Sequence, residues 1–159
     1  MDRTARFLPL GLQRLRALEC LGGNSPQAPG YFAPAADVDI FEAFRRHVAR
    51  LSQQWAAESD PMTVSLLAAG RLLCGELTAA DVILDHLPAQ MIKLDHGAGS
   101  CLVLPVYALA TALPLPATLT DTRRWLAGSA EQTALRAWLN EHRDALHWVE
   151  ADGVYRRDT

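Results

Sequence analysis

The chain has 159 residues, half of them hydrophobic and about a fifth charged, which is one domain's length and a folding composition rather than a disordered one. Its formal net charge is −3, and the acidic stretch over 51–100 argues against a nucleic-acid groove, which needs clustered positive charge. Three widely spaced cysteines, Cys20, Cys74 and Cys101, exclude a disulfide framework and a zinc motif and read as small buried hydrophobes in a reducing cytosol.

The N-terminal stretch carries Arg3 and Arg6, but Arg14, Arg16 and Glu19 interrupt any apolar run, so it does not read as a signal peptide. Phe7, Leu8, Leu12, Leu15 and Leu18 recur at near-helical spacing and predict a first helix over 3–20. Gly22 and Gly23 stop it. Residues 22–36 hold three glycines and three prolines, which predicts an irregular loop. Its aromatic pair, Tyr31 and Phe32, either pins the loop to the body or offers a contact to a partner.

Asp39 and Glu42 form a capping-box pattern that opens a second helix. Ile40, Phe44, Val48, Leu51 and Trp55 share one face of it, and an aromatic stripe of this kind reads as core. Asp60 before Pro61 marks a third helix start. That helix runs to about Cys74, where Gly75 closes it. Thr78 then caps a short helix to Asp85, with Asp81 in its first turn. Residues 90–96 read as an extended piece or a loop.

The segment 97–120 is uncharged over 24 residues, long enough to raise a membrane span. Pro105, Pro114 and Pro116 oppose it. Pro114 and Pro116 should end a helix near Leu113. A helix over 100–113 spans only about 20 Å, against a hydrocarbon core of about 30 Å. The segment therefore predicts a buried core helix, with Ser100 as its cap and no membrane partner.

Thr120 is expected to cap a further short helix ending at Gly128. Ser129 and Gln132 repeat the capping-box pattern for a last helix over 130–144, whose buried face is Leu135, Trp138 and Leu139. In the tail, 146–156, Asp152-Gly153 separates two alternating runs and predicts a β-hairpin in which Trp148 and Tyr155 lie facing or diagonal. The expected fold is mainly α: one domain over 1–159, a bundle of about six or seven helices with a small C-terminal β-hairpin.

The stretches GELTAADVILDHLP and HGAGSCLVLPVYALATALP resemble paired helices of the HEAT type. The resemblance covers residues 60–145 and rests on helix lengths and on small and Leu-rich positions. It carries no diagnostic motif and no clean repeat period. It implies a helical scaffold of the kind that binds other proteins.

Charge is uneven. The basic residues are fourteen arginines and Lys93, a bias that reads first as codon usage in a bacterial-like composition and second as guanidinium chemistry toward a partner. Residues 51–100 carry Arg71 and Lys93 against Glu58, Asp60, Glu76, Asp81, Asp85 and Asp95. This acidic middle is either a solvated face or a docking face for a basic protein.

Two copies of Leu-Asp-His, ending at His86 and His96, suggest an acid–base pair or metal ligands. Adjacent side chains diverge, however, so neither copy is a site by itself, and no metal or cofactor is expected. The run His96-Gly97-Ala98-Gly99-Ser100-Cys101 is the most site-like. Its glycines beside a helix start expose N–H groups, and Ser100 or Cys101 beside His96 is a nucleophile–base pairing. It fits neither of the usual nucleophile or phosphate-loop patterns. His47, His142 and His147 complete the set, and His142 suits a helix C-terminus.

The leading expectation is a non-catalytic, cytoplasmic protein-binding protein. It would be an immunity-type inhibitor or an adaptor whose partner, a toxin or effector, meets Glu58, Asp60, Glu76, Asp81, Asp85, Asp95 and the Tyr31–Phe32 pair. The alternative is a small enzyme using His96, Ser100 and Cys101. A homo-oligomer joined through the Tyr31–Phe32 loop or the hairpin is a third reading.

Overall fold

The uncharged segment does become a buried helix. The computed structural model describes residues 40–90, 98–150 and 152–158, with side chains from 44–90, 104–150 and 152–158. Among these residues there are five α-helices and one two-stranded sheet. The helices are α1 (Ile40–Gln54), α2 (Pro61–Leu72), α3 (Ala79–Asp85), α4 (Ala98–Ala112) and α5 (Ala130–His142). Strands β1 (Leu146–Val149) and β2 (Val154–Arg157) pair antiparallel. The expected first helix over 3–20, the 22–36 loop with Tyr31 and Phe32, and residues 90–96 beyond Gln90 lie outside the described residues.

Helix α4 is apolar all round, and Leu104, Val106, Ala108, Leu109, Ala110 and Ala112 are all buried, as a helix without a polar face must be. It packs against α2, α3 and β2. Pro105 lies inside it and removes one backbone donor; Pro114 and Pro116 follow its end. No described helix is long and apolar enough to cross a membrane. The helix is already under way at Ala98, so Ser100 stands in its first turn instead of capping it.

Helix α1 uses the predicted stripe: Phe44, Val48 and Leu51 are buried. Trp55 departs from the core reading, because it lies beyond the helix end and is only half-buried. Helix α2 begins as its sequence predicts. Asp60 accepts the Thr63 N–H at 3.0 Å, and Pro61 opens the helix. It ends in a Schellman turn, with Glu76 N–H bonded to the Arg71 carbonyl and Gly75 N–H to that of Leu72. Gly75 takes φ +98° there. Thr78 was expected to cap α3, yet its side chain makes no cap bond; the turn from Glu76 and Leu77 carbonyls to Ala79 and Ala80 starts that helix through the backbone.

The helix expected between Thr120 and Gly128 is absent. Two 3-10 turns, Ala117–Leu119 and Thr122–Arg124, replace it. Asp121, not Thr120, holds the second turn by accepting the Arg123 N–H. An Asp and two threonines within three residues favour such local bonds over an α-helix. Trp125 is buried against this turn and donates to the Leu119 carbonyl at 3.1 Å. The helix count among the described residues is thus below the expected six or seven, and this stretch does not supply the partner helix that paired HEAT-type hairpins need.

Ser129 caps α5 by accepting from Gln132 N–H at 3.1 Å. The Gln132 amide also accepts from Gly128 N–H and donates to the Leu84 carbonyl, both at 2.7 Å. One side chain thereby ties the start of α5 to the end of α3. Leu135, Trp138 and Leu139 are buried, as predicted. The helix stops at His142, and a 3-10 turn, Arg143–Ala145, leads into β1. In the hairpin, Trp148 faces Tyr155 directly, with ring centres 5.1 Å apart. Gly153 is left-handed, at φ +62°, and the strands close at Val149 opposite Val154, so the connection is not a tight two-residue turn.

Candidate functional site

The five described acidic candidates divide into two groups. Asp81, on the first turn of α3, is held by both Arg143 nitrogens, at 2.7 and 3.0 Å. That carboxylate raises the Arg143 guanidinium above its ordinary value. Asp85 pairs with Arg136 at 2.5 Å, and Glu76 with Arg71 at 2.6 Å. These three carboxylates clamp α3, α5 and the end of α2. A charge already matched by an arginine has little left to offer a basic partner.

Glu58 and Asp60 differ. Both lie on the loop between α1 and α2, and neither has a guanidinium partner among the described residues. One Glu58 oxygen, Oε1, accepts the N–H groups of Ser59 and Asp60 at 3.1 and 3.0 Å. One Asp60 oxygen, Oδ2, accepts the Thr63 N–H and hydroxyl at 3.0 and 2.9 Å. The Thr63 backbone bond, aided by its hydroxyl, holds the Asp60 carboxyl below its ordinary value and so keeps it charged. On each residue the second oxygen remains open to solvent or to a partner.

Beside this loop is a cleft of about 190 Å³ between the end of α1, α2 and α3. Trp55, Val64, Leu67, Ala68 and Val82 supply its apolar lining, and Ser52, Glu58, Thr63 and Arg71 its polar groups. The α2 members, Thr63, Val64, Leu67, Ala68 and Arg71, recur at helical spacing and form one stripe. Trp55, Val64, Leu67 and Val82 are each only partly covered. Met62, one residue into α2, is 46 % exposed.

Sequence reasoning named Glu58 and Asp60 but placed Trp55 in the core and passed over Val64, Leu67, Arg71 and Val82. The available signal was the length of the α1 stripe. Trp55 comes one turn after Leu51, past the last helical residue Gln54, where the facing helices no longer cover it.

Of the other sequence candidates, the described ones serve the fold or are placed only by their backbone. The His86 ring bonds the Val82 carbonyl at 2.7 Å through Nδ1, and Asp85 turns to Arg136, so that Leu-Asp-His copy is structural. Asp95 and His96 lie outside the described residues, as do Tyr31 and Phe32. Ser100 and Cys101 sit in the first turn of α4. Among the described residues no group of three His, Cys, Asp or Glu could hold a metal ion.

The hairpin faces inward. Tyr155 is buried, and Trp148 lies against Gly75, where an added Cβ would come within 3.0 Å of the indole. Arg45 of α1 hydrogen-bonds Glu150 in the hairpin loop, and Glu150 also accepts from the Trp148 indole N–H. His47, buried on α1, accepts a bond from Arg50. Near the chain end His142 stacks on Trp138, with ring centres 4.8 Å apart, and its Nδ1 lies 2.8 Å from the Trp138 carbonyl.

No protein-family model, curated protein or solved structure matches this chain.

Proposed function

We propose that this chain is a non-catalytic protein-binding protein, an immunity-type inhibitor or adaptor that takes a basic partner, such as a toxin or effector, on its acidic side. The observation that carries this reading is the contrast between paired and unpaired carboxylates. Asp81, Asp85 and Glu76 are committed to arginines. Glu58 and Asp60 keep an open oxygen each, next to partly exposed Trp55 and exposed Met62. Uncompensated charge beside adaptable apolar surface suits recognition, since the charge steers the encounter and the apolar groups supply the contact. The adjoining cleft, at about 190 Å³, is below the roughly 300–1,000 Å³ of small-molecule sites, which favours a macromolecular contact.

The test is affinity capture from the native host with the intact chain and with Glu58→Lys. The reading predicts a basic protein retained in stoichiometric amount, released as salt rises and not retained by the variant. Failure to retain any protein stoichiometrically would overturn it, as would a partner held equally by both chains at every salt concentration.

A further inference from the structure

Resting on the protein-binding reading, we infer that the cleft between α1 and α2 receives one large apolar side chain, of phenylalanine size, from a partner segment that carries Arg or Lys beside it. Three observations lead here. The first is size. An apolar cavity of about 150 Å³ is enough to admit benzene, and this cleft measures about 190 Å³. It therefore fits a single ring and little more.

The second is the lining. Trp55 and Leu67 offer a ring and a branched chain that pack against the core on one side and are only partly buried. Burying them against a partner's ring removes further apolar surface from solvent.

The third is charge. Among the described residues, Glu58 and Arg71 are the charged groups that line the cleft, Glu76 already holds Arg71, and Asp60 stands two residues after Glu58 on the same loop. What remains is the pair of open carboxylate oxygens on Glu58 and Asp60. A cation one turn or two residues from the anchoring ring meets them, whereas an acidic segment is repelled. Charge complementarity thus selects a basic segment, and the pocket selects its anchor.

The experiment uses the heptapeptide Gly-Arg-Gly-Phe-Gly-Arg-Gly and amide NMR of the full chain. Two control peptides replace the Phe by Gly or both Arg by Glu. The expected result is a saturable shift of the Ser52, Thr63, Val64 and Arg71 amides with the first peptide and none with either control. Ala56→Phe, which adds a ring at an exposed cleft residue, should abolish the response. Glu58→Gln should weaken it about three-fold, the effect of one exposed ion pair. Peak dispersion in the same spectra reports that each variant is folded. The inference is overturned if the cleft amides stay still at millimolar peptide, or if the acidic control moves them equally. A host partner captured as above, with the cleft silent to this peptide, would leave the protein-binding reading standing and remove the cleft from it.

Discussion

The two ends of α2 use the same materials, acidic residues next to a tryptophan, and finish them in opposite ways. At the C-terminal end Gly75 turns the chain, Trp148 lies over the glycine, and Glu76 closes onto Arg71. At the N-terminal end Trp55 is only partly buried, Met62 is exposed, and Glu58 and Asp60 bond only to backbone N–H groups and to Thr63. The closed end spends its polar groups inside the fold. The open end leaves them for something else. A partner is therefore expected at the Asp60 end and stability effects at the Gly75 end.

The largest stability effect should come from Gly75→Ala. A left-handed residue with a Cβ costs about 1–2 kcal/mol, and here the new carbon also meets the Trp148 indole at 3.0 Å. The expected loss is about 2–3 kcal/mol, read by chemical denaturation. Gly128→Ala is the control. It has φ +79° but nothing within 4 Å, so it should lose only the backbone part, about 1–2 kcal/mol. Equal losses would show that the Trp148 contact contributes nothing.

Arg143→Ala should cost about 1 kcal/mol. It deletes a bidentate pair whose two side chains are 31 % and 39 % exposed, so solvent screens the charges. The same experiment on Glu58→Gln should leave the denaturation midpoint unchanged, because no described arginine loses its partner.

Tyr155→Phe tests the closed end with the opposite sign. The Tyr155 hydroxyl is buried without a hydrogen-bond partner among the described residues. Its removal should be neutral or stabilising, by up to about 1 kcal/mol. Burial, with the nearby Glu76 and Cys74 charges adding to it, pushes this phenol up from its ordinary value. The unfolded chain therefore loses the proton first as pH rises. The native protein should lose stability above about pH 10, the ordinary tyrosine value, and the Phe variant should lose less. A denaturation series from neutral to alkaline pH that shows parallel curves for the two proteins would contradict this.

Much of the helical frame was legible in the sequence because its signals are local. Asp60-Pro61, Gly75, Ser129 with Gln132 and the Asp152-Gly153 turn each act within a few residues. The stripe Phe44, Val48, Leu51 was legible for the same reason. Two features were not. The stretch 117–124 has too many local hydrogen-bonding side chains for its short length to favour an α-helix, and the buried Trp125 indole anchors the 3-10 form. The pairing of acids with arginines spans 62 residues for Asp81 and Arg143, a separation no periodicity encodes. Without those pairs, six carboxylates look alike; with them, Glu58 and Asp60 stand apart. The cleft was invisible for a related reason, since residues from Ser52 to Val82 on three helices and a loop assemble it.

The most direct test of the central claim is site-specific photo-crosslinking in the native host. A photoreactive phenylalanine analogue is placed at Met62, exposed beside the open carboxylates, or at Arg157, on the exposed edge of the hairpin. The account predicts one discrete adduct with a basic protein from position 62, lost when Glu58→Lys is added, and none from position 157. An adduct from position 157 with none from position 62 would contradict it.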